Sequence, residues 1–355
     1  MAALPASTIK KIARNVRKDL KERIEQKRIE KNYNEFRSHL GASQIGDSCE
    51  RKLFYGFRWA KRPDFPANVL RLFETGQLAE HRISKELRSI GATVMEVDPQ
   101  TGKQWRYVEL QGHFGGSMDG AICIDDQWYV GEYKTHNEKS FKELIKKGVK
   151  SSKFQHFAQM QIYMRLSGMT KALYFAVNKN NDEIYLEEVS YDEGFSETLI
   201  NKARRVIFAL QAPPKLSETP DYFECRWCDF TGICHGEEIP VVNCRTCNKF
   251  SINKSDSYCS LREEPLALED ERQGCSFHHF RPDFLPFNLS DSSMREPTGN
   301  CVTYLAKDGT TFKNGYGHVA SSEIQHLELL KDENVKLVKE VFPGAKITKV
   351  TENET

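Results

Sequence analysis

Glu132 and Lys134 stand two residues apart in the run Gly131-Glu132-Tyr133-Lys134-Thr135, which follows Gly115-Gly116-Ser117-Met118-Asp119-Gly120. On an extended strand, side chains two apart leave from the same face, so this glutamate and lysine point the same way. The glycine run reads as a tight turn ahead of Asp119. Ala121 to Val130 reads as a hairpin turning at Asp125-Asp126, which brings Asp119 alongside Glu132. Two carboxylates at that range repel unless a cation lies between them. An all-oxygen set suits a hard ion such as Mg²⁺, and Lys134 then lies where it orients a metal-bound water. The pattern outlines phosphodiester hydrolysis.

The remainder of the 355-residue chain is long enough for two or three domains. Hydrophobic residues make up 39% and charged residues 28%, a globular balance. A net charge of +1 neither requires nor excludes nucleic acid, so local charge decides. No apolar run approaches the roughly 18 residues of a membrane span, and no charged-then-apolar leader is visible. A cytoplasmic location and no membrane partner are expected. Ten cysteines in a reducing compartment read as metal ligands rather than disulfides.

Residues 9–39 are helix-prone, and Lys10, Lys11, Arg14, Arg17, Lys18 and Lys21 make the arm basic. Two readings compete, phosphate attraction and a solvated helix laced with i,i+4 ion pairs. Around Cys49 a helix starts after Asp47-Ser48, and Phe54, Tyr55, Phe57 and Trp59 read as core. Asn68 to Ile90 reads as one amphipathic helix carrying Glu80 and His81, either of which would reach the carboxylate pair as a third ligand. Strands are expected at Ala92–Val97, Tyr107–Leu110, Met118–Asp125, Trp128–Lys134, Lys171–Val177 and Ile184–Val189. Helices are expected at Phe141–Lys147, Lys153–Ser167 and Phe195–Leu210. That order gives an α/β core with a mixed β-sheet flanked by helices. In the helix from Lys153, Gln159 and Tyr163 share a face and would hold a scissile phosphate or a metal water. Gln155 and His156 offer similar polar chemistry one turn earlier.

Asp119-Gly120, then Glu132-Tyr133-Lys134, then Gln159-Met160-Gln161-Ile162-Tyr163 resembles the PD-(D/E)xK nuclease superfamily, in its branch of lambda exonuclease, YqaJ-type and RecB-family nucleases. The similarity runs from about Gly76 to Val177. Met118 stands where the naming proline would be. The resemblance implies a restriction-endonuclease-like core and a Gly-x-x-x-Glu ligand, which Gly76 to Glu80 matches, so Glu80 is preferred to His81. It implies Mg²⁺ or Mn²⁺ on Asp119, Glu132, the Tyr133 carbonyl and Glu80, with Lys134 acting on the water. DNA is then the substrate. The expected activity is that of an exonuclease in recombination or end processing, of phage-like type, with a recombination protein as partner. A restriction or defence endonuclease and an inactive DNA-binding scaffold are the alternatives. Ring-forming members of the branch make a homo-oligomer one expected state.

Cys225-x-x-Cys228-x5-Cys234 needs a fourth ligand, from His235 (giving zinc) or from Cys49 (giving an all-thiolate site). Some RecB-like nucleases, including CRISPR-associated exonucleases, place one cysteine before the core and this triplet after it. That likeness implies a 4Fe–4S cluster on Cys49, Cys225, Cys228 and Cys234, with zinc as the alternative. Cys244-x-x-Cys247-x11-Cys259-x15-Cys275 reads as a second, zinc-binding module, with His278 or His279 competing for the fourth place. Arg245, Lys249 and Lys254 lie near this module in sequence, and two readings compete, a module that grips DNA and a metal-held structural knob. Cys123 reads as core, and Cys301 is given no role. The expected division is a basic arm (1–40), the nuclease core closed by the cysteine cluster (41–236), the zinc module (237–290), and a linker with a small α+β appendage (291–355). Arg281 to Pro297 reads as the linker. In the appendage, Cys301–Ala306 and Thr311–Lys313 read as a hairpin, and Ser321–Leu330 and Glu333–Val341 as helices.

Overall fold

Asp125 and Asp126 adopt φ of 49° and 63°, the left-handed pair that a two-residue hairpin turn requires. In the computed structural model this turn joins the two strands on which the fold is built. The structure describes residues 6–31, 36–236, 238–253, 255–290, 301–305 and 309–325.

In chain order the elements are α1 (Ala6–Lys31), β1 (Leu40–Gly41), α2 (Glu50–Phe57), α3 (Ala67–Ser89), β2 (Thr93–Met95), β3 (Arg106–Glu109), β4 (Phe114–Ser117), β5 (Gly120–Ile124) and β6 (Gln127–His136). Then come α4 (Glu138–Ser152), α5 (Phe154–Ser167), β7 (Lys171–Asn178), β8 (Ile184–Ser190) and α6 (Glu193–Ile207). The main sheet has the order β2-β5-β6-β7-β8. Only β6 and β7 run parallel, with Glu132 opposite Tyr174; the other pairs are antiparallel. A mixed sheet of this kind with helices on both faces is the expected α/β core. One face packs Ile122, Tyr133, Phe175 and Val177 against Ile83 and Leu87 of α3. The other face, with Ala121, Val130, Tyr174 and Ala176, packs against α4, α5 and α6.

Helix α5 is buried on nearly all sides from Phe157 to Met164, as expected of a helix apolar around its circumference. It ends at Gly168, whose φ of 75° is the left-handed cap position. Asn137 caps α4 through its side chain, and Asp192 caps α6.

Several expectations need correction. The glycine run is not a tight turn. Phe114–Ser117 is strand β4, paired antiparallel to β3 and parallel to β1 in a separate three-stranded sheet. The Tyr107 strand therefore belongs to that small sheet, and the main-sheet strand begins at Gly120 rather than Met118. The arm helix is described over Ala6–Lys31, and residues 36–39 are not helical; 32–35 and the side chains before Arg17 lie outside those described. Its described part is ion-pair-laced, with Lys18–Glu22, Asp19–Arg23 and Lys21–Glu25 at i,i+4 spacing. It lies along α3 through Arg71–Glu25 and Arg28–Glu74.

After α6 come α7 (Phe223–Arg226) and α8 (Thr231–His235), which carry the cysteine triplet. The following module contains β9 (Phe250–Asn253), β10 (Asp256–Cys259), β11 (Glu264–Pro265) and α9 (Leu268–Gln273). Of the supposed linker, residues 281–290 are described and pack against the rest of the fold. Phe280, Phe284 and Leu285 are buried, and Phe284 packs on Phe54 and Tyr55. β12 (Asn288–Leu289) pairs with β13 (Cys301–Leu305), which forms the expected hairpin with β14 (Thr311–Gly315). The short helix α10 (Ser321–Ile324) begins where a helix is read; 326–355 lie outside the described residues. Among the described residues no helix is long and apolar enough to cross a membrane.

Candidate active site

Strand β6 carries Glu132, Lys134 and His136 on one face because strand side chains alternate. The neighbouring strand β5 begins just after Asp119, with Gly120 opposite Gly131, so the two acids and the lysine meet. The Asp119 carboxylate accepts a hydrogen bond from the Tyr133 backbone N–H at 3.0 Å and from Lys134 Nζ at 3.4 Å. Lys134 Nζ also donates to the Tyr133 carbonyl at 2.9 Å and lies 2.6 Å from Glu132 Oε1. That last approach is a close ion pair, and Glu132 Oε2 has no hydrogen-bond partner.

Glu132 is fully buried. Burial pushes its carboxyl up to about 8, with Asp119 adding to the shift and Lys134 opposing it. Burial alone would lower the Lys134 ammonium, but the Glu132 and Asp119 charges reverse this and hold it above its ordinary value. Glu80, half-buried on α3, is pushed up to about 7 by burial and then by the Asp119 charge. Its neighbour His81 turns outward to Glu96, 3.2 Å away, which places Glu80 rather than His81 beside the acids.

Helix α5 closes the other side. Tyr163 donates its hydroxyl to the Ser117 carbonyl at 2.7 Å, two residues before Asp119. A Cβ added at Gly116 would lie 2.6 Å from the Tyr163 oxygen, so this glycine is required for close approach. Gln159 is buried on the same helix face. Gln155 turns away and donates to Asp47 at 3.4 Å. His156 instead faces Tyr174, whose hydroxyl also meets His136. Tyr174 and His136 stand out in neither motif nor composition; the only signal pointing to them is the strand alternation that puts His136 on the Glu132 face.

A fully buried carboxylate whose Oε2 has no hydrogen-bond partner, beside a second acid, fits a divalent cation. Asp119, Glu132, Glu80 and the Tyr133 carbonyl are the oxygen donors at hand, and such donors suit Mg²⁺ or Mn²⁺.

The two cysteine groups each share a cavity. Cys49, the N-cap of α2, lines one with Cys225, Cys228, Cys234 and His235. Burial raises the Cys225, Cys228 and Cys234 thiols, and the nearby Cys49 adds to each shift. Cys244, Cys247, Cys259 and Cys275 line the other. Burial pushes Cys244 up to about 12, helped by the other three sulfurs. His278 lines this cavity too, but its Nε2 faces the Asn243 carbonyl (3.0 Å) and its Nδ1 the Ser321 hydroxyl (2.8 Å). Both nitrogens of His278 are engaged, whereas His279 Nε2 is buried with no hydrogen-bond partner among the described residues. Among the described residues no three or more His, Cys, Asp or Glu side chains are drawn together as a metal-binding set. The fold supplies shared cavities of thiols, not finished ligand geometry.

Residues 57–235 match the family model of the PD-(D/E)XK nuclease superfamily, and the chain belongs to that superfamily. A search of curated proteins finds no match. Among solved structures, SSO0001 is 18% identical with a TM-score of 0.39, covering 61% of this chain and 96% of that one. LHK-Exo in complex with dAMP is 18% identical with a TM-score of 0.37, covering 48% of this chain and 86% of that one. The alkaline exonuclease LHK-Exo from Laribacter hongkongensis gives 18% and 0.36, covering 52% of this chain and 90% of that one.

Proposed function

We propose that the protein is a Mg²⁺- or Mn²⁺-dependent deoxyribonuclease that acts as an exonuclease in DNA end processing or recombination. The observation that carries this is the meeting of Asp119, Lys134 and the buried Glu132, whose Oε2 has no hydrogen-bond partner, in a chain of the PD-(D/E)XK superfamily. Asp119, Glu132, Glu80 and the Tyr133 carbonyl hold the cation, which supplies Lewis-acid stabilisation of charge on the reacting phosphate. Lys134 positions the attacking water and offsets negative charge. Gln159 and Tyr163 hold the phosphate or a water against this layer. The exonuclease reading rests on the order of the Gly76–Glu80, Asp119, Glu132–Lys134 and Gln159–Tyr163 motifs, which resembles the lambda exonuclease branch.

Cys49, Cys225, Cys228 and Cys234 hold a 4Fe–4S cluster with a structural role, tying α2 to the tail that follows α6. The shared cavity of four thiols supports it, and zinc with His235 is the competing occupant. Cys244, Cys247, Cys259 and Cys275 hold zinc.

Incubation of wild type and Lys134→Ala with linear and closed-circular DNA, single- and double-stranded, with Mg²⁺ or with chelator, tests the activity. Loss of linear DNA alone supports the exonuclease, and cleavage of circles supports an endonuclease. Equal behaviour of the two proteins on all substrates sinks the enzymatic reading. Anaerobically prepared protein with no visible absorbance and only zinc removes the cluster.

A further inference from the structure

Four polar groups form an unbroken chain behind the acids. His156 Nδ1 lies 2.9 Å from the Tyr174 hydroxyl, which lies 2.8 Å from His136 Nε2, and His136 Nδ1 lies 3.2 Å from the Ser140 hydroxyl. Tyr174 is fully buried and His136 nearly so, while Ser140 and His156 at the two ends are partly exposed. Tyr174 stands opposite Glu132 in the parallel pair, and His136 is on the Glu132–Lys134 face. His156, Gln159 and Tyr163 follow one stripe of α5, and the Tyr163 end reaches Ser117 beside Asp119. His156 is the partly exposed end of the chain on that stripe.

The geometry points to His156 as a catalytic residue that donates from Nε2 to the oxygen leaving phosphorus, resupplied through Tyr174, His136 and Ser140. This rests on the nuclease reading above. Every link has a donor and an acceptor in either direction, because each imidazole has two nitrogens and each hydroxyl both donates and accepts. As the water oxygen bonds to phosphorus, its proton goes to solvent. The bond from phosphorus to the leaving oxygen breaks with its electron pair on that oxygen, which takes the Nε2 proton. His156 Nδ1 accepts the Tyr174 proton, Tyr174 accepts that of His136 Nε2, His136 Nδ1 accepts that of Ser140, and Ser140 is reprotonated from water. No member of the chain carries charge before or after. A tautomer relay suits the surroundings, since burial and then the Lys134 charge push His156 down to about 3, and burial with Lys153 and Lys134 pushes His136 down to about 4.

The test uses the full chain with Mn²⁺ and linear DNA whose bridging oxygen is replaced by sulfur, at the 3′ position in one substrate and the 5′ position in another. A thiolate leaves without a proton. His156→Ala is expected to be slowed about 100-fold on ordinary DNA and to cleave one sulfur-bridged substrate near the wild-type rate. Tyr174→Phe, which removes one hydroxyl and keeps the ring, is expected to show a smaller loss with the same rescue, and it carries the test if His156→Ala fails to fold. Equal slowing on oxygen and sulfur substrates, or no slowing on either, overturns the relay while leaving the nuclease reading intact. Wild-type protein inactive on all of them overturns both.

Discussion

Lys134 Nζ sits 2.6 Å from Glu132 Oε1 as a close ion pair, and the buried Glu132 Oε2 has no hydrogen-bond partner. A buried carboxylate left this way is costly and is expected to be satisfied by something else. The lysine meanwhile donates to Asp119 and to the Tyr133 carbonyl.

Lys134→Ala is expected to lower the cleavage rate by about 10³-fold while leaving DNA affinity within a few-fold, because a group acting on the reacting water contributes to the transition state and little to binding. Single-turnover rates and binding in Ca²⁺ are the measurements. A comparable loss in both would place Lys134 in the binding surface instead.

Metal uptake is expected to release protons. Burial, then the Asp119 charge, holds Glu132 at about 8 in the metal-free protein, and burial holds Glu80 at about 7. Carboxylates must be ionised to bind a cation. Both are raised acids, so they are protonated below these values and ionised above them. Affinity for Mg²⁺ therefore rises as pH climbs from 6 to 8, and between about one and two protons leave per metal at pH 7. Calorimetry in two buffers of different ionisation enthalpy gives the count, and Glu132→Gln should reduce it.

Gly116→Ala is expected to cost about 1–3 kcal/mol of stability through overpacking, because its new methyl would meet the Tyr163 hydroxyl at 2.6 Å. Adding Tyr163→Phe should recover part of that stability, without recovering activity if Tyr163 holds the phosphate layer. Urea melts of the single and double variants decide this.

Arg245 joins the cysteine module to the core. Its guanidinium lies 3.9 Å from the Trp59 ring, pairs with Glu271 at 2.5 Å, and donates to the carbonyls of Phe57 and Ser38. Glu271→Gln leaves a buried cation with weaker compensation and is expected to cost about 3 kcal/mol. Thermal unfolding checks this, and an unchanged midpoint would mean that the aromatic cage alone suffices.

The strand period made the Glu132–Lys134 pairing and its Asp125-Asp126 hairpin legible in the sequence, since alternation and turn chemistry are local properties. The long helix carrying Glu80 and the buried helix of Gln159 and Tyr163 were legible for the same reason. The glycine run was misread because its requirement is not local: Gly116 is small to admit Tyr163 from a helix far along the chain, and β4 finds its partners in β1 and β3. Cysteine spacing nominated a triplet and a quartet, and the family resemblance joined Cys49 to the triplet; the fold sets Cys49 on the triplet's cavity and turns both nitrogens of His278 to other partners. His136 and Tyr174 became neighbours through the parallel pairing of β6 with β7, with α4 and α5 between them in the chain. Sequence by itself determined which side chains share a face of each element. The tertiary structure decided which faces meet, because sheet order and helix packing are set by burial summed over the whole chain.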